Sequence, residues 1–215
     1  MTASQPRSSA GDGGQQARRR MKAPERREQL IGIARKIFAE RGYEATSIEE
    51  IAERAGVSKP VVYEHFGGKE GLHAVIVDRE IRSLVDRIKA SLITGEPRRT
   101  VESVVQTFLT YVEDEEDGFR ILVRDAPVGR DEGSLPSVLD EIADAVEALL
   151  MVELKTRGFK AKTAPVLARA LVGMVALVGQ WWLSEPRPRK KMVAEQVVNL
   201  AWNGLKDLDR EPRSG

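Results

Sequence analysis

Cysteine is absent from the 215 residues, which rules out disulfides, thiolate metal sites and thiol nucleophiles. That composition fits a reducing compartment, and a cytoplasmic location is the expectation. Histidine occurs only as His65 and His73, too few for a multi-histidine zinc site. No glycine-rich phosphate loop is present. Glu147 and Glu153 share a helical stretch with no histidine at metal-ligand spacing. An enzyme is therefore the disfavoured class: no catalytic residue, metal ligand or cofactor is expected.

Long apolar runs are also missing. The longest, Ala170 to Leu183, has 14 residues and already contains Gln180. A bilayer span needs about 18–20, so no membrane partner is expected. The opening "MTASQPRSSAGDGGQQARRRMK" holds no apolar signal region. It does hold charge: Arg7, Arg18, Arg19, Arg20 and Lys22 face Asp12 alone, a net +4 in a chain whose total is +1. Residues 1–23 are expected to be a disordered basic arm. Such an arm serves either as a solubilising tail or as a contact to phosphate.

Strand signals are nearly absent, with no alternating runs bounded by Asn-Gly or Asp-Gly turns. Helical periodicity takes their place. Leu30, Ile33, Ala34, Ile37 and Phe38 form one apolar stripe on a helix over about 25–41, and Gly42 stops it. Ser47, with Glu50 three residues on, reads as a capping box for a helix of barely two turns that Gly56 ends. Ser58 caps a third short helix with Pro60 in its first turn, and Gly67-Gly68 closes it. A long fourth helix runs from near Lys69 to about Leu92. Further helices are expected at about 98–113, 118–125, 135–157, 162–184 and 189–208. The acidic run Glu113–Asp117 reads as a solvated loop between two of them. The fold class is all-α.

Two short helices joined by Ala55-Gly56-Val57, with a supporting helix before them, form a helix-turn-helix pattern. A recognition helix must be short, firmly started and exposed if it is to enter a major groove about 12 Å wide. Val62 and Phe66 are four apart and anchor its inner face, which leaves Lys59, Val61, Tyr63 and His65 looking outward. His73 carries no motif and reads as structural.

"TSIEEIAERAGVSKPVVYEHFGGKEGL" (46–72) resembles the DNA-binding region of the tetracycline-repressor (TetR) family of transcriptional regulators. "REQLIGIARKIFAERGYEAT" (27–46) is similar to that family's first helix. The resemblance implies a three-helix DNA-binding unit over 24–70 and a larger helical ligand-binding and dimerisation domain over 71–210. It implies that Ser58 and Lys59 touch phosphate or base edges and that Pro60 and Val61 press on bases. Tyr63 and His65 become a phosphate-binding pair, Lys69 a further backbone contact, and Thr46 with Ser47 a phosphate contact at the start of the second helix. The reading requires Tyr63 and His65 to be open to solvent. Three positions depart from the family pattern. Gly68 stands where a better capping residue is common, while Glu49 and Glu64 put carboxylates among the reading groups. Residues 25–70 carry 8 cations and 9 anions, a net −1.

The resemblance also implies a homodimer built from the last two helices of each subunit, with Trp182, Val197, Ala201, Trp202 and Leu205 expected at the interface. It implies an effector cavity between the middle helices. Phe108, Tyr111, Phe119, Leu122, Leu149, Met174 and Trp181 are candidate lining groups, and their chemistry favours a small hydrophobic effector such as a lipid-like or acyl compound. Arg120 and Arg124 could pair with an anionic head group or with the acidic run. The expected partners are double-stranded DNA, a second copy and that effector, in a regulator of the repressor type. The alternative is a ligand-independent regulator or an architectural DNA binder.

Overall fold

Short helices cannot persist alone, so the packing of α1 to α4 decides whether a helix-turn-helix exists at all. The computed structural model describes residues 21–92, 95–124, 135–184 and 188–210. Among them lie nine helices and no strand. They are α1 (Ala23–Arg41), α2 (Ile48–Ala55), α3 (Lys59–Phe66), α4 (Lys69–Ser91), α5 (Pro97–Asp114), α6 (Glu116–Arg124), α7 (Leu135–Thr156), α8 (Thr163–Leu183) and α9 (Lys190–Lys206). The basic residues Arg7 and Arg18 to Arg20 of the expected arm lie outside the described residues.

α2 and α3 have 8 residues each, well under the ~12–15 at which an isolated helix becomes marginal. Tertiary burial holds them. Leu30, Ala34, Ile37 and Phe38 of α1, Ile51 of α2, Val62 of α3 and Leu72 of α4 are all fully buried in one small core. Each large aliphatic or aromatic group there contributes about 1.5–3 kcal/mol. Ends are set locally. Ser47 Oγ accepts from Glu50 N at 3.2 Å, and Gly56 turns left-handed at φ 64°. Only half of the expected capping box forms, because the Glu50 carboxylate turns away to Arg41 at 3.1 Å and Arg54 at 3.0 Å.

A second, larger core joins the later half of α4 to α5 through α9, with Leu84, Ile88, Leu109, Phe119 and Trp182 inside it. α4 therefore belongs to both cores. The expected boundary between residues 70 and 71 falls in its first turn, and Ile121 of α6 reaches back into the small core.

The acidic run is not a solvated loop. Glu113 and Asp114 end α5, and Glu116 and Asp117 begin α6. Glu115 sits between them, held by Arg35 at 2.9 Å and Arg87 at 3.1 Å. α8 is long and apolar enough to cross a membrane by length and composition. Here it packs along α7, and Gly179 takes the ring of Phe108 from α5 against its backbone.

Candidate nucleic-acid interface and internal cavity

Of the eight residues of α3 only Val62 is buried. Tyr63 is 53% exposed, Lys59, Pro60 and Glu64 are exposed, and His65 is half-buried. The helix starts at Ser58, whose hydroxyl makes no cap bond, so that oxygen stays available at a helix N-terminus, where partial positive charge favours anions. Val61 is less open than expected: it is half-buried against the small core. Phe66 packs on the same core, under the Arg27 guanidinium at 4.9 Å.

Thr46 corrects the sequence reading. It is 3% exposed, and its hydroxyl donates to the Gly42 carbonyl at 2.7 Å. That hydroxyl closes the turn between α1 and α2 and does not face outward. Ser47 is exposed and spends an oxygen lone pair on its cap. Lys69 is half-buried, with Nζ donating to the Tyr43 carbonyl at 3.0 Å and lying 4.2 Å from the centre of the Tyr43 ring. Its charge is already engaged. His73 packs against the Phe38 and Tyr43 rings, as a structural group does. Glu49 forms an ion pair with Lys59 across the α2–α3 corner, and that hydrogen bond holds the Glu49 carboxyl below the usual carboxylate range. Lys59, the one lysine of α3, is thus paired with a neighbouring helix.

Gly68 is a second correction. It reads as a weak cap, but its backbone lies at φ 138°, ψ −167°, a region essentially closed to other residues. The Tyr63 ring also packs against it, with a carbon 3.5 Å from where a Cβ would stand. Glycine is there to let the chain reverse under Tyr63. Gly68→Ser, the conventional capping residue, should therefore destabilise the protein by about 1–3 kcal/mol. Thermal denaturation checks this, and an unchanged or raised midpoint would show that the glycine conformation is not needed.

Between α4, α5, α7, α8 and α9 lies a cavity of about 340 Å³, within the range of small-molecule sites, about 300–1,000 Å³. Its wall is mostly aliphatic, including Val101, Val104, Ile142, Val146 and Val175, with Phe108 as a large ring. Glu153, Arg157 and Lys206 are its charged lining groups. The Arg157 guanidinium donates to the carbonyls of Leu205 and Lys206, each at 2.8 Å, and so stitches α7 to the end of α9.

Of the expected lining groups, Phe108 and Leu149 are in this wall. Tyr111, Phe119 and Leu122 are instead sealed in the core behind it, and Met174 packs against that core from outside the lining. Arg120 is exposed and pairs with Glu116 at 2.6 Å, the acidic-run alternative, while Arg124 donates to the Glu40 carbonyl at 3.4 Å. Trp181 is 58% exposed, far from a lining position.

The expected interface groups are displaced in the opposite sense. Trp182 is 2% exposed, with its indole N–H donating to the Pro188 carbonyl at 2.8 Å. Val197 and Ala201 are buried in the subunit, and Ala201, Trp202 and Leu205 line the cavity. The large apolar residues that these two helices do leave exposed are others: Val166, Leu177 and Trp181 on α8, and Met192 and Leu200 on α9.

Comparison with known proteins follows the same division of the chain. Residues 30–76 match the family model for bacterial regulatory proteins of the tetR family, and residues 97–204 match the tetracyclin repressor-like C-terminal domain. The HTH-type transcriptional activator FasR of Mycolicibacterium smegmatis is 33% identical over 199 residues, 90% of this chain and 89% of that protein. The HTH-type transcriptional repressor KstR2 of Rhodococcus jostii is 35% identical over 83 residues, 38% of this chain and 41% of its own. The crystal structure of a TetR-like transcriptional regulator from Rhodococcus sp. RHA1 superposes with a TM-score of 0.74 at 27% identity, over 88% of this chain and 100% of that one.

Proposed function

The chain belongs to the TetR family of bacterial regulatory proteins, and from that premise we propose that it is a cytoplasmic homodimer whose grip on operator DNA is set by a small hydrophobic ligand. The observation that carries the reading is the exposure of α3: seven of its eight residues reach solvent. Ser58, Lys59, Pro60 and Tyr63 then form the edge that meets a duplex, with His65 and Ser47 beside it. Phosphate contacts from these groups fix register, while Pro60 and the open part of Val61 offer apolar contact to a thymine methyl.

The exposed apolar residues of α8 and α9 support dimerisation. Two recognition helices must reach successive major grooves about 34–36 Å apart, which one subunit cannot do. The cavity supports the ligand. Its aliphatic wall suits an alkyl or acyl chain, and Arg157 and Lys206 suit an anionic end. The ligand acts by population shift, since it must bind the DNA-incompetent spacing more tightly than the competent one. The sign of regulation then depends on whether the operator overlaps the promoter or precedes it.

Electrophoretic mobility shift, at stated salt, on duplexes from the flanks of the protein's own coding region tests the reading. Tyr63→Phe and Lys59→Ala should each weaken binding about threefold to tenfold, roughly evenly across sites, and Lys59→Ala should lower the salt slope by about 1. Medium- and long-chain saturated fatty acids should raise the melting temperature and release the duplex. Wild-type affinity in both variants would discard the assigned DNA edge; no release and no thermal shift with any of the acids would discard the ligand class.

A further inference from the structure

Where the two cores meet, four charged side chains from three elements converge with one hydroxyl. Arg35 projects from α1, the scaffold of the DNA-binding unit. Its Nε donates to Glu80 Oε1 at 2.7 Å and a terminal nitrogen donates to Glu115 Oε2 at 2.9 Å. Glu80 belongs to α4 and is 8% exposed; Glu115 is the junction of α5 and α6. Arg87 of α4 donates to the other Glu115 oxygen at 3.1 Å. Tyr111 of α5, fully buried, donates its hydroxyl to Glu80 Oε2 at 3.1 Å. The first turn of α6 presses onto the group so closely that a Cβ on Gly118 would overlap the Glu80 carboxylate and lie 2.7 Å from Arg35.

Apolar contact alone would hold the two units together, and Ile121 supplies some. It would not fix their angle, because dispersion is non-directional. Hydrogen bonds to ionised groups are directional, and those from Arg35 tie α1 both to Glu80 of α4 and to Glu115 at the α5–α6 junction. Burial pushes the Tyr111 hydroxyl well above its ordinary pKa, and the Glu80 charge adds to this, so the proton that Tyr111 donates is retained. Tyr111 is also linked to the cavity through two rings. Its ring meets Phe119 edge-on at 6.4 Å, and Phe119 meets Phe108, a cavity wall residue, edge-on at 5.7 Å.

We propose that Arg35, Glu80, Glu115 and Arg87 form an angular clamp that sets how the DNA-binding unit is held on the effector domain, and that Tyr111 is the positioning residue linking the clamp to the cavity. In a dimer that angle decides the distance between recognition helices, so the clamp determines which half-site spacing is accepted. The inference rests on the operator-binding reading above.

The test uses Glu115→Gln, isosteric and on the half-buried side of the cluster, and Tyr111→Phe, which keeps the ring. Full-length proteins are titrated against an operator selected from random duplexes, and against that operator with one base pair added or removed between half-sites. Each change turns one half-site by roughly a tenth of a turn. Wild type should discriminate against the altered spacings by about tenfold or more. Both variants should lose most of that discrimination while keeping affinity for the original within about threefold. Variants that discriminate like wild type overturn the clamp, as does a wild type indifferent to spacing. Should wild type bind no duplex, the operator reading fails, and amide exchange decides the clamp separately: faster exchange across α6 in Glu115→Gln supports it, and unchanged exchange overturns it.

Discussion

Replacing Gly71 with alanine is expected to weaken operator binding on the order of 100-fold while leaving the effector domain folded. Gly71 lies in the first turn of α4, where that helix passes the end of α3. A Cβ at Gly71 would overlap the Phe66 carbonyl oxygen, a backbone atom with no rotamer through which to escape. The last turn of α3 must therefore back away by on the order of 1 Å, a distance enough to spoil a donor–acceptor geometry. Tyr63 and His65 sit on that turn. Losing two or three contacts worth about 1 kcal/mol each would lower affinity on the order of 100-fold. The cost in stability is about 1–3 kcal/mol, as for other overpacked sites, and falls on the small core alone. Affinity measured beside circular dichroism separates the two. Gly71→Ala binding within threefold of wild type would mean that α3 is not held by this contact.

The effect could not be anticipated from residue order. Gly71 reads as an ordinary helical glycine, tolerated at a cost of about 1 kcal/mol, because the close approach is between elements. Gly118 is alike in this. The pattern of short helices, by contrast, was legible, since Ser47, Gly56, Ser58, Pro60 and Gly67 are local punctuation and each falls at a helix end, although the Ser58 hydroxyl makes no cap bond. Burial on α2 followed from spacing because that helix is amphipathic, whereas on α3 Val62 alone is buried and Val61, expected outward, is half-buried.

Spacing fails on α8, which is apolar nearly all round. With no polar face to mark the solvent side, a shift of one residue, about 100° around the axis, cannot be resolved: Trp182, expected outward, is buried in the core, and Trp181, expected inward, is exposed. Most of the cavity's lining, beyond Phe108 and Leu149, was missed for a related reason. Large aromatic groups drew attention, yet most of them fill the core, and the wall is lined by valines, leucines and isoleucines that no motif distinguishes from packing. Thr46 and the Glu115 junction share a third cause: their partners Gly42 and Arg35 are fixed by turns and packing that only the folded chain supplies.

The two adjacent tryptophans make the sharpest contrast between a fold residue and a proposed assembly residue. Trp182→Ala removes a 2% exposed indole and orphans the carbonyl of Pro188, which accepts its N–H. Truncating a buried tryptophan costs about 3–5 kcal/mol, and at about 2–4 °C per kcal/mol for a chain of this size the midpoint should fall on the order of 10 °C. That fall should be the same at every protein concentration. Trp181→Ala removes a side chain 58% exposed in the subunit, so the dilute monomer should melt within a few degrees of wild type. On the proposed dimer face, though, tryptophan is the residue type most often found to dominate binding, at about 2 kcal/mol or more. The dimer dissociation constant should then rise about 30-fold, visible by sedimentation across a dilution series, and operator affinity should fall with it. A Trp181→Ala protein that sediments like wild type would remove the α8–α9 face from the interface, whereas one that melts as low as Trp182→Ala at every concentration would show that the exposed indole belongs to the core.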